Sequence, residues 1–450
     1  MPHAGEAHVM TETTGLPAPA SARGVAAVRP AGRPLSGVVS VPGDKSISHR
    51  GAILAGMALG TSRIEGFSAA SDCSATLACI QALGARVRRD GDVVEIDGGE
   101  LQAPSGPLDC GRSGTTMRLL AGALAGYDLE AVLTGHPQLL ARPMERVAAP
   151  LRRMGADVSI GPDGRAPLLI RGGSLHGIEH SSEVPSAQVK SAILLAGLRA
   201  DGATTIVEPV RTRDHTERLM TWLGVRVDTA AAEGGSRVVI APSVVPPFEL
   251  RVPGDVSAAA PILAAAAAIP GSDVTVTNVG LNPTRVALLD VLRRMGATID
   301  VEASAVAGPE PTGDVRVRGA IQLRGIDLGS GEVPALIDEL PLIGVLGAGA
   351  TGMTRVVGAA ELRVKESDRI KVLVRGLRAL GADAREGPDG FEVTGRASLT
   401  GARCDAAADH RLAMAFSVGA LLADSPVEVG GFEYVADSFP GFLDAVEAIR

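Results

Sequence analysis

Five times along the chain an Ala/Leu-rich helical stretch runs into a glycine and then into a short apolar strand. The segments are 81–87, 151–158, 221–227, 292–299 and 377–383, with their glycines at Gly84, Gly155, Gly224, Gly296 and Gly381. The spacings are 71, 69, 72 and 85 residues. A glycine at that point suits a left-handed helix stop, because it has no Cβ to clash. A sixth helix, 442–449, holds the same place in the period and ends with the chain. Each unit of about 70 residues reads as strands around two helices. A longer repeat lies over it: Val41-Pro42-Gly43-Asp44-Lys45-Ser46 returns as Val252-Pro253-Gly254-Asp255-Val256-Ser257, three units later. Both copies open an Ala-rich helix. The pattern predicts two halves of three units each, with the chain crossing between them at these two turns. The expected division is a loose leader over 1–27, a first-half domain over 44–253, and a second-half domain made of 28–43 and 254–450. The N-terminal strand thus joins the second half.

Composition narrows the class. The chain has 450 residues, 46% of them hydrophobic and 21% charged, which suits a multi-domain globular protein and not a disordered one. Its longest apolar run, 258–269, is too short to cross a membrane and reads as a buried helix. A net charge of −8 and only 10 aromatic residues argue against nucleic-acid binding. Cys73, Cys79, Cys110 and Cys404 have no zinc-ligand spacing and read as buried free thiols in a reducing cytoplasm. The N-terminus lacks the pattern of a signal peptide. Only four of 43 basic residues are lysines (Lys45, Lys190, Lys365 and Lys371), which marks them as places where a compact, titratable ammonium has a purpose.

Several helical runs open with cations and hydroxyls: Gly43-Asp44-Lys45-Ser46-Ile47-Ser48-His49-Arg50, Gly111-Arg112-Ser113-Gly114 through Arg118, Ser186-Ala187-Gln188, Arg363 through Arg369, and Asp409-His410-Arg411. In the first, Ser46 and Ser48 are the candidate caps; in the fourth, Ser367 and Asp368. His49 reads as structural. One such opening is equally a plain capped helix. Repeated at equivalent places, they predict a convergent positive cavity for a small polyanion. Asp338, in an apolar stretch, and Glu366, beside Lys365, are acids where affinity for an anion would not want them, so they suggest proton transfer.

Together with Arg142-Pro143 and Thr212-Arg213-Asp214-His215, these motifs resemble the EPSP synthase (3-phosphoshikimate 1-carboxyvinyltransferase) family over about residues 28–449. The resemblance implies a two-domain, inside-out α/β barrel of six βαβαββ units. It also implies transfer of the enolpyruvyl group of phosphoenolpyruvate to the 5-hydroxyl of shikimate 3-phosphate, with release of phosphate, on the way to chorismate and the aromatic amino acids. Carried over by motif, Lys45, Ser46, Arg50, Ser186, Ala187, Gln188, Arg213, Asp338 and Lys365 bind shikimate 3-phosphate; Ala187 stands where some members have a serine. Lys45, Gly114, Arg142, Gln188, Arg369 and Arg411 bind phosphoenolpyruvate. Asp338, Glu366 and Lys45 are the catalytic candidates. A cytoplasmic monomer with no metal, no cofactor and no macromolecular partner is implied. Glyphosate is expected to compete with phosphoenolpyruvate, since Gly114 leaves room for it. Arg112 replaces a frequent Asn, and Asp437 stands where some members have a substrate-binding Lys. Two rivals remain at this stage: the related transferase acting on UDP-N-acetylglucosamine, and a non-catalytic anion-binding repeat protein. An open state is expected without ligand, because facing cations repel; shikimate 3-phosphate would close the halves about hinges at the two crossings.

Overall fold

The computed structural model describes residues 24–232, 235–305, 308–395 and 398–450. Their hydrophobic interior falls into two clusters. One runs from Ile47 to Val252. The other combines Val28, Ala31 and Leu35 with residues from Val256 to Ile449. Six sheets surround these cores, five of four strands and one of three.

One unit illustrates the four-stranded sheets. Glu179–Ser181 pairs in parallel with Thr204–Glu208, and the helix Ala187–Gly197 connects them. Thr204–Glu208 pairs antiparallel with Gly235–Ile240, which pairs with Val227–Ala232. The helix His215–Trp222 bridges to those last two strands. This is the βαβαββ order. The sheets remain separate walls, and one helix of each unit lies inside them.

The two helices of a unit differ as their sequences require. Val256–Ala268 is apolar all round and buried from Val256 to Ala267, as an internal helix must be. Ala287–Met295 is amphipathic: it buries Leu288, Leu289, Val291, Leu292 and Met295, and carries Asp290, Arg293 and Arg294 outward. The repeat glycines that follow the outer helices all have positive φ: 103° at Gly84, 111° at Gly155, 80° at Gly224, 116° at Gly296 and 83° at Gly381. The four cysteines are buried and free.

The leader expected over 1–27 is shorter than its composition suggested. Val25–Val28 is a strand, paired antiparallel with Val427–Gly430. Its short apolar run, too brief to show a period, is fixed by that long-range partner. Residues 1–23 lie outside the described residues. Ser36–Ser40 pairs in parallel with Asp273–Gly280 of the second half, while Glu249–Arg251 joins the first-half sheet beside Gly60–Glu65.

Between these exchanged strands the chain crosses twice, and the two crossings hold each other. Asp44 N–H donates to Pro253 O at 2.7 Å, and Asp255 N–H donates to Pro42 O at 2.9 Å. Gly43 is required by close approach: a Cβ there would lie 1.8 Å from Gly66 O. Asp44 and Asp255 then cap the helices Lys45–Met57 and Val256–Ala268, so the expected caps Ser46 and Ser48 are not used as such. Ser48 Oγ instead accepts from Ser68 N–H.

Two carboxylates so close in a dry interior need a counter-charge, and Arg285 supplies it. Its guanidinium reaches Asp44 at 3.3 Å and Asp255 at 3.2 Å, with all three side chains buried. Nη1 also donates to His215 Nε2 at 2.9 Å, so His215 Nδ1 carries the proton that it shares with Glu310 at 2.6 Å. Burial holds His215 neutral, with its pKa lowered to about 3, against the pull of Asp44.

Arg285→Met should therefore cost about 3–5 kcal/mol, the usual penalty for stranding a buried charge. The Asp44–Asp255 pair would share a proton, so its folded pKa rises above the unfolded value and stability is lost as pH rises. Thermal melts of the variant should show a larger deficit at pH 8 than at pH 5.

Candidate functional site

The central helices point their N-termini into a cavity of about 210 Å³ between the two halves. Lys45, Gly114 and Gln188 stand in the first turns of Lys45–Met57, Gly114–Ala125 and Ala187–Gly197. Arg411 stands in the first turn of His410–Leu421 opposite. Local sequence fixes these starts. Asp44, Ser113, Ser186 and Asp409 each accept a backbone N–H from their own first turn, which releases the following residue into the cavity. Helix N-termini add partial positive charge to the full charges.

Nine cationic side chains line the cavity (Lys45, Arg118, Arg142, Arg146, Arg213, Arg285, Lys365, Arg369 and Arg411) against five carboxylates (Asp72, Asp255, Asp338, Glu361 and Glu366). That excess suits one or two small anions carrying several charges. A larger cavity of about 920 Å³ lies by Met57, Gly126 and Leu198, at the other ends of the first half's central helices. Helix C-termini favour cations. Arg199 there is already held by Glu100 and stacked on Tyr127, so that cavity has no anion-binding chemistry.

Asp338 and Glu366 each sit between a cation of the opposite half and Arg369 of their own. Asp338 Oδ2 lies 2.7 Å from Arg213, and its Oδ1 lies 3.2 Å from Arg369. Glu366 reaches Arg142 at 3.3 Å and Arg369 at 2.6 Å. Arg369 is nearly inaccessible and also pairs with Asp409 at 2.8 Å. Burial pushes the Asp338 carboxyl up, but Arg213, Arg411 and Arg369 outweigh it and hold it well below the usual range. Glu366 is likewise held low by Arg369 and Arg142 against the effect of burial. Lys365 moves the other way: burial, with Arg142 and Arg369 nearby, lowers its pKa to about 8 despite Asp338. Lys45 resists burial through Asp72, 2.9 Å away, and its pKa is raised. In this closed arrangement Arg213 and Arg142 each meet an acid of the other half, which offsets part of the positive charge across the cleft.

Of the residues singled out from sequence, Lys45, Ser46, Gly114, Arg142, Ser186, Ala187, Gln188, Arg213, Asp338, Lys365, Glu366, Arg369 and Arg411 all line this cavity. Arg50 stands behind the wall, where its guanidinium is taken up by Ser46 O, Ser191 Oγ and Thr216 Oγ1. Ser367 does not cap the helix Arg369–Ala379; Asp368 does, while Ser367 Oγ donates to Asp409. His49 is structural, its Nδ1 2.6 Å from Thr76 Oγ1. Of the four lysines only Lys45 and Lys365 reach the cavity. Lys190 lies buried between Glu208 and Glu217, and Lys371 is exposed.

Sequence reasoning assigned no role to Asp72, Arg118, Arg285 or His410. Arg118 and His410 lie inside quoted motifs and could have been found there: Arg118 donates to Gln188 Oε1 at 2.6 Å, and His410 is held neutral by burial together with Lys45 and Arg411. Asp72 carried no local signal, because only the fold brings it to Lys45.

The family model for EPSP synthase (3-phosphoshikimate 1-carboxyvinyltransferase) matches residues 30–446. A 3-phosphoshikimate 1-carboxyvinyltransferase of Acidithiobacillus ferrooxidans is 48% identical over 423 residues, covering 92% of this chain and 95% of that protein. The solved EPSP synthase of Acinetobacter baumannii superposes with a TM-score of 0.83 at 40% identity, covering 95% of this chain and 98% of the other. The enolpyruvyl transferase NikO of Streptomyces tendae superposes with a TM-score of 0.78 at 19% identity, covering 95% of this chain and 97% of its own, a likeness of fold alone.

The lowered pKa of Lys365 gives the cavity a pH signature. Sulfate, which does not titrate in this range, should bind less tightly as pH rises through about 8 and the ammonium is lost. Calorimetric titrations between pH 6 and 10 should show this fall in the wild type. Lys365→Arg, always charged, should abolish it.

Proposed function

The chain belongs to the EPSP synthase family, and from that premise we propose how its cavity divides the labour of the reaction. The protein transfers the enolpyruvyl group of phosphoenolpyruvate to the 5-hydroxyl of shikimate 3-phosphate, releasing phosphate, a step of aromatic amino acid biosynthesis. Lys45, Ser46, Ser186, Gln188, Arg213 and Lys365 hold shikimate 3-phosphate, with the Ala187 backbone beside them and Arg50 bracing Ser46 from behind. Arg142, Arg369 and Arg411 take the carboxylate and phosphate of phosphoenolpyruvate, which planar guanidinium forks match. Gly114 and Gln188 complete that side.

Asp338 accepts the proton of the 5-hydroxyl as its oxygen bonds to C2 of phosphoenolpyruvate. Glu366 delivers a proton to the C3 methylene, giving a tetrahedral adduct. It then takes one back as the C2–O bond to phosphate breaks, and Lys45 steadies the leaving phosphate. The observation that carries this reading is that the arginines assigned to the substrates are the ones that hold both acids in their weakly basic form. Anions that draw those arginines away leave burial in command, and burial raises both carboxyl pKa values. Substrate binding thereby makes Asp338 a better base and lets Glu366 hold a proton.

We further propose that residues 28–43 and 254–450 act as one domain and 44–253 as the other, closing about the paired crossings. A monomer suffices, since one chain supplies every lining residue. A cytoplasmic setting agrees with four free buried thiols. Among the described residues no helix is long and apolar enough to cross a membrane.

Phosphate release with both substrates present tests the assignment. Asp338→Asn and Glu366→Gln should each slow turnover by about 10²- to 10⁴-fold, the range for a lost proton-transfer group, with melting temperatures retained. Release at the wild-type rate in either variant would remove that residue from catalysis. Glyphosate should inhibit in competition with phosphoenolpyruvate. A Cβ at Gly114 would lie 2.5 Å from Arg142 Nη1, so Gly114→Ala must displace that guanidinium. Inhibition kinetics should show glyphosate weakened more than phosphoenolpyruvate.

A further inference from the structure

The two positions that depart from the family pattern are partners. Arg112 reaches from the first half to three residues of the second. Its Nε donates to Asp437 Oδ2 at 2.9 Å, and Nη2 donates to Ala408 O at 2.5 Å. The guanidinium also stacks on Tyr434, 4.0 Å from the ring centroid. Asp437 Oδ1 accepts from Ser71 Oγ of the first half at 2.6 Å, so both carboxylate oxygens are held across the cleft. The Arg112 and Asp437 side chains are only 15% and 14% exposed, unlike an ordinary surface pair.

Two links lead from this pair to the cavity. The Asp437 carbonyl accepts from Lys45 Nζ at 3.3 Å, on the side of the ammonium not taken by Asp72. Ala407 and Ala408 have φ of 51° and 57°, a left-handed conformation that alanine adopts only at a cost. They lead directly into Asp409, His410 and Arg411, and the Arg112 contact pins the Ala408 carbonyl.

We propose that Arg112 and Asp437 are positioning residues: a latch across the cleft that favours closure and sets Lys45 and Arg411 for phosphoenolpyruvate. An acid where some relatives carry a substrate-binding lysine is then no loss of function. Its charge is spent on Arg112, and the pair supplies by geometry what a lysine supplies by contact. The effect belongs to binding, because neither side chain lines the cavity. The inference rests on the enolpyruvyl-transfer reading, so its test has one arm independent of activity.

Arg112→Asn, Asp437→Asn and the double variant are compared with the wild type by melting, small-angle scattering along a titration with shikimate 3-phosphate, and kinetics. Each single variant should need several-fold more shikimate 3-phosphate than the wild type to reach the compact state. Each should also raise the KM for phosphoenolpyruvate about tenfold, with kcat within about twofold. The double variant should be no worse than the singles, because the second change removes a contact already lost. A closure midpoint unmoved by either single change overturns the latch, whether or not the protein turns over substrate. A shifted midpoint with an unchanged KM, or KM effects that multiply to about a hundredfold in the double variant, overturns the positioning role. Absence of phosphate release in the wild type would strike the enolpyruvyl-transfer reading and leave the scattering arm to decide the latch.

Discussion

Concentrated positive charge in a closed cleft is the constraint on which the rest of this structure depends. Nine cations and the N-termini of the central helices meet in one small cavity, and at low dielectric such a set repels itself strongly. The fold answers with carboxylates placed across from the cations: Asp338 on Arg213, Glu366 on Arg142, Asp72 on Lys45. These are internal stand-ins for substrate charge. They keep the site assembled, and in the proposed mechanism Asp338 and Glu366 are also its proton-transfer groups. In that proposal counter-charge and catalyst coincide, because an acid held on a displaceable arginine is weakly basic alone and becomes basic when an anionic substrate takes the arginine.

The same logic reaches the crossings. Two separately cored halves joined by two strands would have little to set their orientation. Here the crossings share hydrogen bonds, and Arg285 bridges the caps of two central helices, one from each half. Lys45 N–H even reaches over to Asp255 Oδ2 at 3.2 Å, so the helix that presents Lys45 is tied to both halves. Beyond this joint the halves also meet through the ion pairs Arg213–Asp338, Arg142–Glu366, Arg146–Glu361 and Arg112–Asp437.

Much of this was legible in the sequence, for identifiable reasons. Five of the six units showed because a left-handed helix stop favours glycine, and all five of those glycines have that conformation. The exchange of N-terminal strands followed from the duplicated Val-Pro-Gly-Asp turn. The cavity cations were visible because each sits just after a capping residue, a strictly local signal. What stayed hidden depends on long-range contacts. Asp72 opens an outer helix and resembles any first-turn acid until the fold carries it to Lys45. Arg285 is one arginine among many until the crossings meet. Arg112 and Asp437 could be seen as departures one by one, but their pairing spans 325 residues and belongs to the closed form. The counter-charges on Arg213 and Arg142 stayed hidden for the same reason, since Asp338 and Glu366 come from the other half.

The central claim is that substrate anions replace the acids on the arginines. A crystal structure with shikimate 3-phosphate and phosphoenolpyruvate bound measures it directly. The account predicts that Arg213 leaves Asp338, now 2.7 Å away, for the ligand. Arg142 and Arg369 should turn from Glu366 to the phosphoenolpyruvate anion, with Asp338 within hydrogen-bond reach of the 5-hydroxyl. A ternary complex in which these ion pairs persist unchanged while both ligands are held by other groups would contradict it.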